Sequence, residues 1–173
     1  DGIHFSYSII TNIDQDHIEY HKNLENYINS KLKIMNQCTT SIINLDSNNL
    51  KNIDHLKYDC KNIYYISQNK TKNKKLLNIP LRENIKNLKN FNIYSLLMIF
   101  AVMRLEKFKI KNIFESINNL NSLDGRRQIF ITNGKGDFIV DYAHTVQAYK
   151  NIYNDFSMNK KICTLFGCGG DRD

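Results

Sequence analysis

Apolar and polar residues alternate along residues 4–11, and the pattern breaks at a polar turn, Asn12-Ile13-Asp14-Gln15-Asp16-His17. A side-chain period of two belongs to a half-buried β-strand, so a strand is predicted to run into that turn. The period then changes. Leu24, Tyr27, Ile28, Leu32 and Met35 recur at helical spacing, which predicts an amphipathic helix over 23–35. Residues 40–45 and 62–67 read as two more short strands, with polar turns between them. The run 94–105 is apolar nearly throughout and suits a buried helix; 110–120 suits a second, amphipathic one.

A composition shift at Asn121-Ser122-Leu123-Asp124-Gly125 marks a turn and a candidate boundary between domains 1–122 and 123–173. Beyond it, 128–132 and 138–141 flank Asn133-Gly134-Lys135-Gly136-Asp137, a hairpin signal. A helix is expected over 145–156. The apolar run Ile162-Cys163-Thr164-Leu165-Phe166 then reads as a buried strand entering Gly167-Cys168-Gly169-Gly170-Asp171-Arg172-Asp173. Strand, helix, strand and glycine turn make a βαβ-type beginning, so the expected fold class is α/β. Such a turn brings backbone N–H groups to an anionic or polar ligand. A helix normally follows it, and the chain opens at Asp1 without methionine, so the sequence reads as the middle of a larger protein.

Composition narrows this picture. No apolar run approaches the roughly 20 residues that span a membrane, and the N-terminus lacks the order of a signal peptide. Cys38, Cys60, Cys163 and Cys168 form no Cys-x-x-Cys pair and read as reduced thiols, which makes the cytoplasm the expected compartment. The formal charge of +7 invites a nucleic-acid reading. Lysine, asparagine and isoleucine crowd the whole chain, however, as codon bias in an AT-rich genome would produce, and no RNA- or DNA-binding motif accompanies them. A basic RNA-binding module using the lysine-rich stretch 69–75, with Tyr64 and Tyr65 as a stacking surface, stands as the reading from another class.

Several residues could carry chemistry. Lys31 shares the helical face of Leu24, Tyr27 and Ile28, where a lysine must snorkel, meet an anion or be chemically altered. A lysine carbamate, one such alteration, offers oxygen to a hard cation such as Mg²⁺. Asp14, Asp16, His17, Glu19 and His21 crowd the turn before this helix, either as a metal site or as a solvated helix entry. His17 stands out because it follows a strand end, where open α/β sheets bind ligands. Arg126, in Gly125-Arg126-Arg127, is either a surface arginine or a phosphate clamp at the domain boundary. Asp141, in Asp141-Tyr142-Ala143-His144, is either a turn residue or a ribose acceptor.

Together these segments resemble the Mur ligase family, and within it the enzymes that add the third peptide residue in peptidoglycan synthesis. The matching strings are Thr11 through His21, Glu25-Asn26-Tyr27 with Lys31, Phe91-Asn92-Ile93, Gly125-Arg126, Val140-Asp141-Tyr142-Ala143-His144-Thr145, and Phe166 through Asp173. They stand in family order and at family spacing along nearly the whole chain. The resemblance implies the C-terminal part of a P-loop-type central ATPase domain, followed by the start of a Rossmann-like C-terminal domain. It implies an ATP-dependent amide ligase working through an acyl phosphate, with ATP and Mg²⁺ as cofactors. The substrates would be UDP-N-acetylmuramoyl-L-alanyl-D-glutamate and a diamino acid, with no nucleic-acid or membrane partner and a monomeric complete enzyme. By the same resemblance, His17 and carbamylated Lys31 would serve the metal. Asn92 would lie near adenine, Arg126 near the γ-phosphate and Asp141 on the ribose, with His144 in the same nucleotide-side motif.

The chain also departs from the family pattern. Ser95 stands where a second asparagine is usual, Arg127 replaces a methionine, Val146 replaces a proline, and Pro80-Leu81-Arg82 looks drifted. The family's Gly-x-x-Gly-Lys-[Ser/Thr] phosphate loop does not occur in the sequence, nor does its Asp-Asn-Pro-Arg motif. The piece is therefore expected to be inactive alone. The Gly-Cys-Gly-Gly-Asp-Arg-Asp form leans toward diaminopimelate over lysine as the added residue. A folylpolyglutamate synthase-like ligase, which shares the Asp-His turn and the carbamylated lysine, is the near alternative.

Overall fold

A computed structural model of the chain describes residues 2–14, 18–51, 54, 57–68, 92–120, 123–134, 136–156 and 161–167. The contacts separate two compact units, one holding the described residues up to Leu120 and the other those from Leu123 onward.

The first unit is built on a parallel sheet of β1 (Phe5–Ile10), β2 (Cys38–Asn44) and β3 (Asn62–Ile66), in that spatial order. Register pairs Ile10 with Ile43 and Asn44 with Ile66, so the strands finish nearly level at their carboxyl ends. Central β2 is buried on both faces apart from Thr39, which explains a near-continuous apolar and small-residue run instead of strict alternation.

Short helix α1 (Ile18–His21) and α2 (Leu24–Leu32) connect β1 to β2, with a 3-10 turn over Lys33–Gln37. Asn23 starts α2 by accepting the Asn26 amide at 2.8 Å. The expected helix to Met35 therefore ends three residues early as an α-helix, and the tighter turn still carries Met35 into the core. Tyr27, Leu32 and Met35 pack with Ile10, Ile43, Leu45 and Tyr65 on this face. Side chains alternate along a strand, so Ile42 and Ile66 belong to the opposite face. There α3 (Ile93–Leu105) lies against β2 and β3 and pairs with α4 (Ile110–Asn118), the Phe100 and Phe114 rings standing 5.0 Å apart. Tyr7 donates its hydroxyl to Glu106, linking β1 to the end of α3. At the other end of the sheet, the Cys38 and Cys60 sulfurs lie 3.6 Å apart as free thiols on the neighbouring chains of β2 and β3.

The second unit holds the antiparallel pair β4 (Gln128–Phe130) and β5 (Phe138–Val140), followed by α5 (Val146–Phe156). Gly134 and Gly136 take positive φ in the connection, as the hairpin signal requires. The buried strand expected over 161–166 is not found. Those residues are exposed and unpaired as a strand, because an isolated extended segment has no neighbour among the described residues to complete a ladder. They rest instead on α5, through Tyr153 with Thr164 at 2.8 Å and the Tyr149 and Phe166 rings at 5.8 Å. The glycine-rich residues 168–173 and the lysine-rich stretch 69–75 lie outside the described residues.

Candidate active site

The carboxyl ends of β1, β2 and β3 gather polar side chains that serve one another. Buried Asn44 donates to the Thr11 carbonyl at 2.8 Å and accepts the Asp46 amide at 3.0 Å. Asp46 in turn accepts the Ser67 hydroxyl at 2.6 Å, the Gln68 amide at 2.7 Å and the Tyr94 hydroxyl at 3.1 Å. Asn49 donates to the Ile13 carbonyl at 2.7 Å. The loops after all three strands, and the first turn of α3, are thus tied at one edge. In an open α/β sheet that edge is where ligands bind.

Asn92 caps α3 from this edge. Its Oδ1 accepts the amides of Tyr94 at 2.9 Å and Ser95 at 3.3 Å. With both lone pairs so engaged, the group left to offer a ligand is the Nδ2 donor. Ser95 is exposed and reaches Asn92 through its backbone.

Lys31 takes the first of the three courses its spacing left open: it snorkels. It is exposed, with Nζ 5.3 Å from the Tyr27 ring centroid. Because α2 ends one residue later, the long stem carries the ammonium out over the aromatic face while Tyr27 and Leu32 remain buried. Asp14 Oδ2 accepts from Asn12 at 2.9 Å. His17 and Asp16 lie outside the described residues. His21 is described and stacks edge-on with Tyr20 and Tyr27.

In the second unit one turn brings three of the expected residues together. Arg126 donates its amide to Leu123 at 3.0 Å, closing a turn in which Gly125 has φ 66°. The exposed Arg126 guanidinium lies 4.5 Å from the Tyr142 ring centroid. Stacked this way, it keeps its in-plane N–H edge open to a phosphate. Arg127 holds a left-handed φ of 48° while donating its amide to Asp141 Oδ2 at 2.9 Å and its side chain to Asp155 on α5. The remaining Asp141 oxygen can accept from a hydroxyl. His144 Nδ1 meets the Tyr142 carbonyl at 3.0 Å. A carbonyl only accepts, so Nδ1 carries the proton and a neutral ring leaves Nε2 as an acceptor.

The family description Mur ligase middle domain matches residues 1–120. The chain belongs to the Mur ligase family. This Mur ligase chain is 33% identical over 199 residues to the UDP-N-acetylmuramoyl-L-alanyl-D-glutamate--2,6-diaminopimelate ligase of Clostridium botulinum, covering 99% of the chain and 39% of that protein. It is 32% identical over 200 residues to the ligase of the same name from Clostridium tetani, again covering 99% and 39%. It thus spans about 39% of the length of these curated relatives. A solved structure of a ligase of that name superimposes with a TM-score of 0.60 at 23% identity, over 97% of this chain and 39% of the other. That likeness shows the shared fold, the α/β class expected from the sequence.

Sequence reasoning missed Asn44, Asp46 and Tyr94. The available signal was polar Asn44 closing the buried strand and polar Asp46 in the turn that follows it. The RNA-stacking surface is contradicted: Tyr65 is buried in the core, and neighbouring Tyr64 points to the opposite face of β3, so the two rings form no single platform.

Proposed function

We propose that this chain belongs to an ATP-dependent amide ligase of peptidoglycan precursor synthesis, adding 2,6-diaminopimelate to UDP-N-acetylmuramoyl-L-alanyl-D-glutamate. The observation that carries this reading is similarity across 99% of the chain, through both units, to ligases bearing that name. ATP would phosphorylate the substrate carboxylate. The incoming amine then attacks the acyl phosphate, and the tetrahedral intermediate expels phosphate. Such chemistry depends on positioning and charge neutralisation more than on covalent help from the protein. Its substrates are nucleotide-linked and polar, which suits the cytoplasm, and the complete enzyme is taken as a monomer.

The described residues suit the nucleotide. Asn92 Nδ2 would donate to an adenine ring nitrogen, Asp141 would accept a ribose hydroxyl, and the stacked Arg126 would hold the γ-phosphate as charge moves onto it. His144 Nε2 would lie on the same nucleotide side. Of the residues that would serve Mg²⁺, Lys31 is described and His17 is not. Among the described residues no three His, Cys, Asp or Glu side chains cluster as a metal site. Lys31 would become an oxygen ligand only as a carbamate, with His17 as its companion. When bound, Mg²⁺ would neutralise phosphate oxygens.

The test is ligation by the full-length protein. Product should form only with ATP, the dipeptide nucleotide and diaminopimelate together, and Lys31→Ala should abolish it without rescue by bicarbonate. Wild type supplied with ¹³C-bicarbonate should show a carbamate carbon signal that Lys31→Ala lacks. Full activity in the variant would remove Lys31 from the mechanism, and absence of ATP-dependent product in wild type would overturn the function.

A further inference from the structure

We infer that Asp46 is a positioning residue for the nucleotide, acting through Tyr94 to fix the first turn of α3 and with it Asn92. The inference rests on the proposed nucleotide role of Asn92. Asp46 lies two residues past the end of β2 and binds the chain leaving β3 twice, through the Ser67 hydroxyl at 2.6 Å and the Gln68 amide at 2.7 Å. A further contact leaves the sheet: the Tyr94 hydroxyl donates to Oδ2 at 3.1 Å. Tyr94 is also one of the two residues whose backbone amides hold Asn92 Oδ1. A continuous path therefore runs from the sheet's carboxyl edge through Asp46 and Tyr94 to the Asn92 amide.

The chemistry makes this path directional. A carboxylate accepts strongly from a phenol, and charge-assisted bonds are roughly twice as strong as neutral ones. Burial pushes the Tyr94 hydroxyl above its ordinary range, a Gln68 hydrogen bond working against it and Asp46 with it, so it stays a donor across working pH. An N-cap carbonyl alone fixes Asn92 relative to its own helix, but not that helix relative to the sheet. The Asp46 to Tyr94 bond supplies that second reference. Without it α3 keeps its cap and buried face, but its first turn loses a tether to the ligand edge.

The experiment compares Tyr94→Phe and Asp46→Asn with wild type in the full-length protein, measuring ATP KM, kcat, ATP-over-GTP preference and melting temperature. Tyr94→Phe should raise ATP KM by roughly threefold to tenfold, the size of one displaced hydrogen bond, and reduce the preference for ATP. Its kcat at saturating ATP should stay within about twofold, because the reacting phosphate is held elsewhere. Asp46→Asn should shift KM the same way. If Asp46→Asn does not fold, Tyr94→Phe still decides. A lowered melting temperature with unchanged ATP KM and base preference would make the network purely structural and sink the inference. Wild type that does not bind ATP would overturn the proposed function and this inference with it, whereas ATP-binding wild type with an indifferent Tyr94→Phe sinks the inference alone.

Discussion

Asn92 has one carbonyl oxygen, and two helix amides occupy it. Capping and nucleotide binding therefore use opposite ends of one side-chain amide, which makes them separable. Aspartate caps a helix about as well as asparagine but has no N–H₂ donor. Asn92→Asp should leave the melting temperature within about 2 °C of wild type while raising ATP KM about tenfold. A large thermal loss with unchanged KM would assign Asn92 to the helix alone. Residue-level legibility was uneven for identifiable reasons. Arg126, Asp141 and His144 lie close in sequence on either side of one hairpin, so their convergence followed from the hairpin signal. Lys31 was legible as a snorkelling lysine, since helical spacing put its Cα on the face of Tyr27 and a long stem can still carry the ammonium out. Asp46 was marked only as a polar residue after a strand, and nothing local named its partners Ser67 and Tyr94, 21 and 48 residues away.

Elements were more legible than residues because their periods are local. β1, β2, β3, α3 and α4 fall within a residue or two of the apolar patterns that announced them. The segment 161–166 fails for a complementary reason: a strand is a pairing between chains, and an apolar run cannot show whether a partner is present. The contacts between elements carry a pH consequence. The Glu106 carboxylate first, then burial, pushes the Tyr7 hydroxyl from 10.0 up to about 12. Burial first, then the Cys38 thiol, pushes Cys60 from 9.0 up to about 11. Both folded groups hold their protons more tightly than the unfolded chain does. Their stabilisation is complete below about pH 9 and is lost as pH rises through about 11 and 12. Melting temperature should fall across that range, and Tyr7→Phe with Cys60→Ser should flatten the fall. An unchanged slope would mean that neither contact persists in solution.

At the scale of the molecule, the family resemblance was legible because its strings are spread over both units and kept in order. The charge was less informative than it looked, being dispersed along the chain instead of gathered with aromatic side chains. That dispersion acts on the opposite side of a second property. Among the described residues β1 hydrogen-bonds to β2 alone, and Ile3, Phe5 and Ile9 beside that edge are 67%, 39% and 45% exposed. An open edge next to apolar side chains is a template for pairing with another copy. The net charge of +7 holds copies apart. Salt removes that protection, since the screening length falls from about 30 Å at 0.01 M to about 3 Å at 1 M. The chain produced by itself should therefore show light scattering that grows with added sodium chloride, and Ile9→Lys should suppress it; scattering indifferent to salt would exclude this balance. Colloidal behaviour, and not catalysis, is then the first property that β1 imposes on anyone holding this chain in a tube.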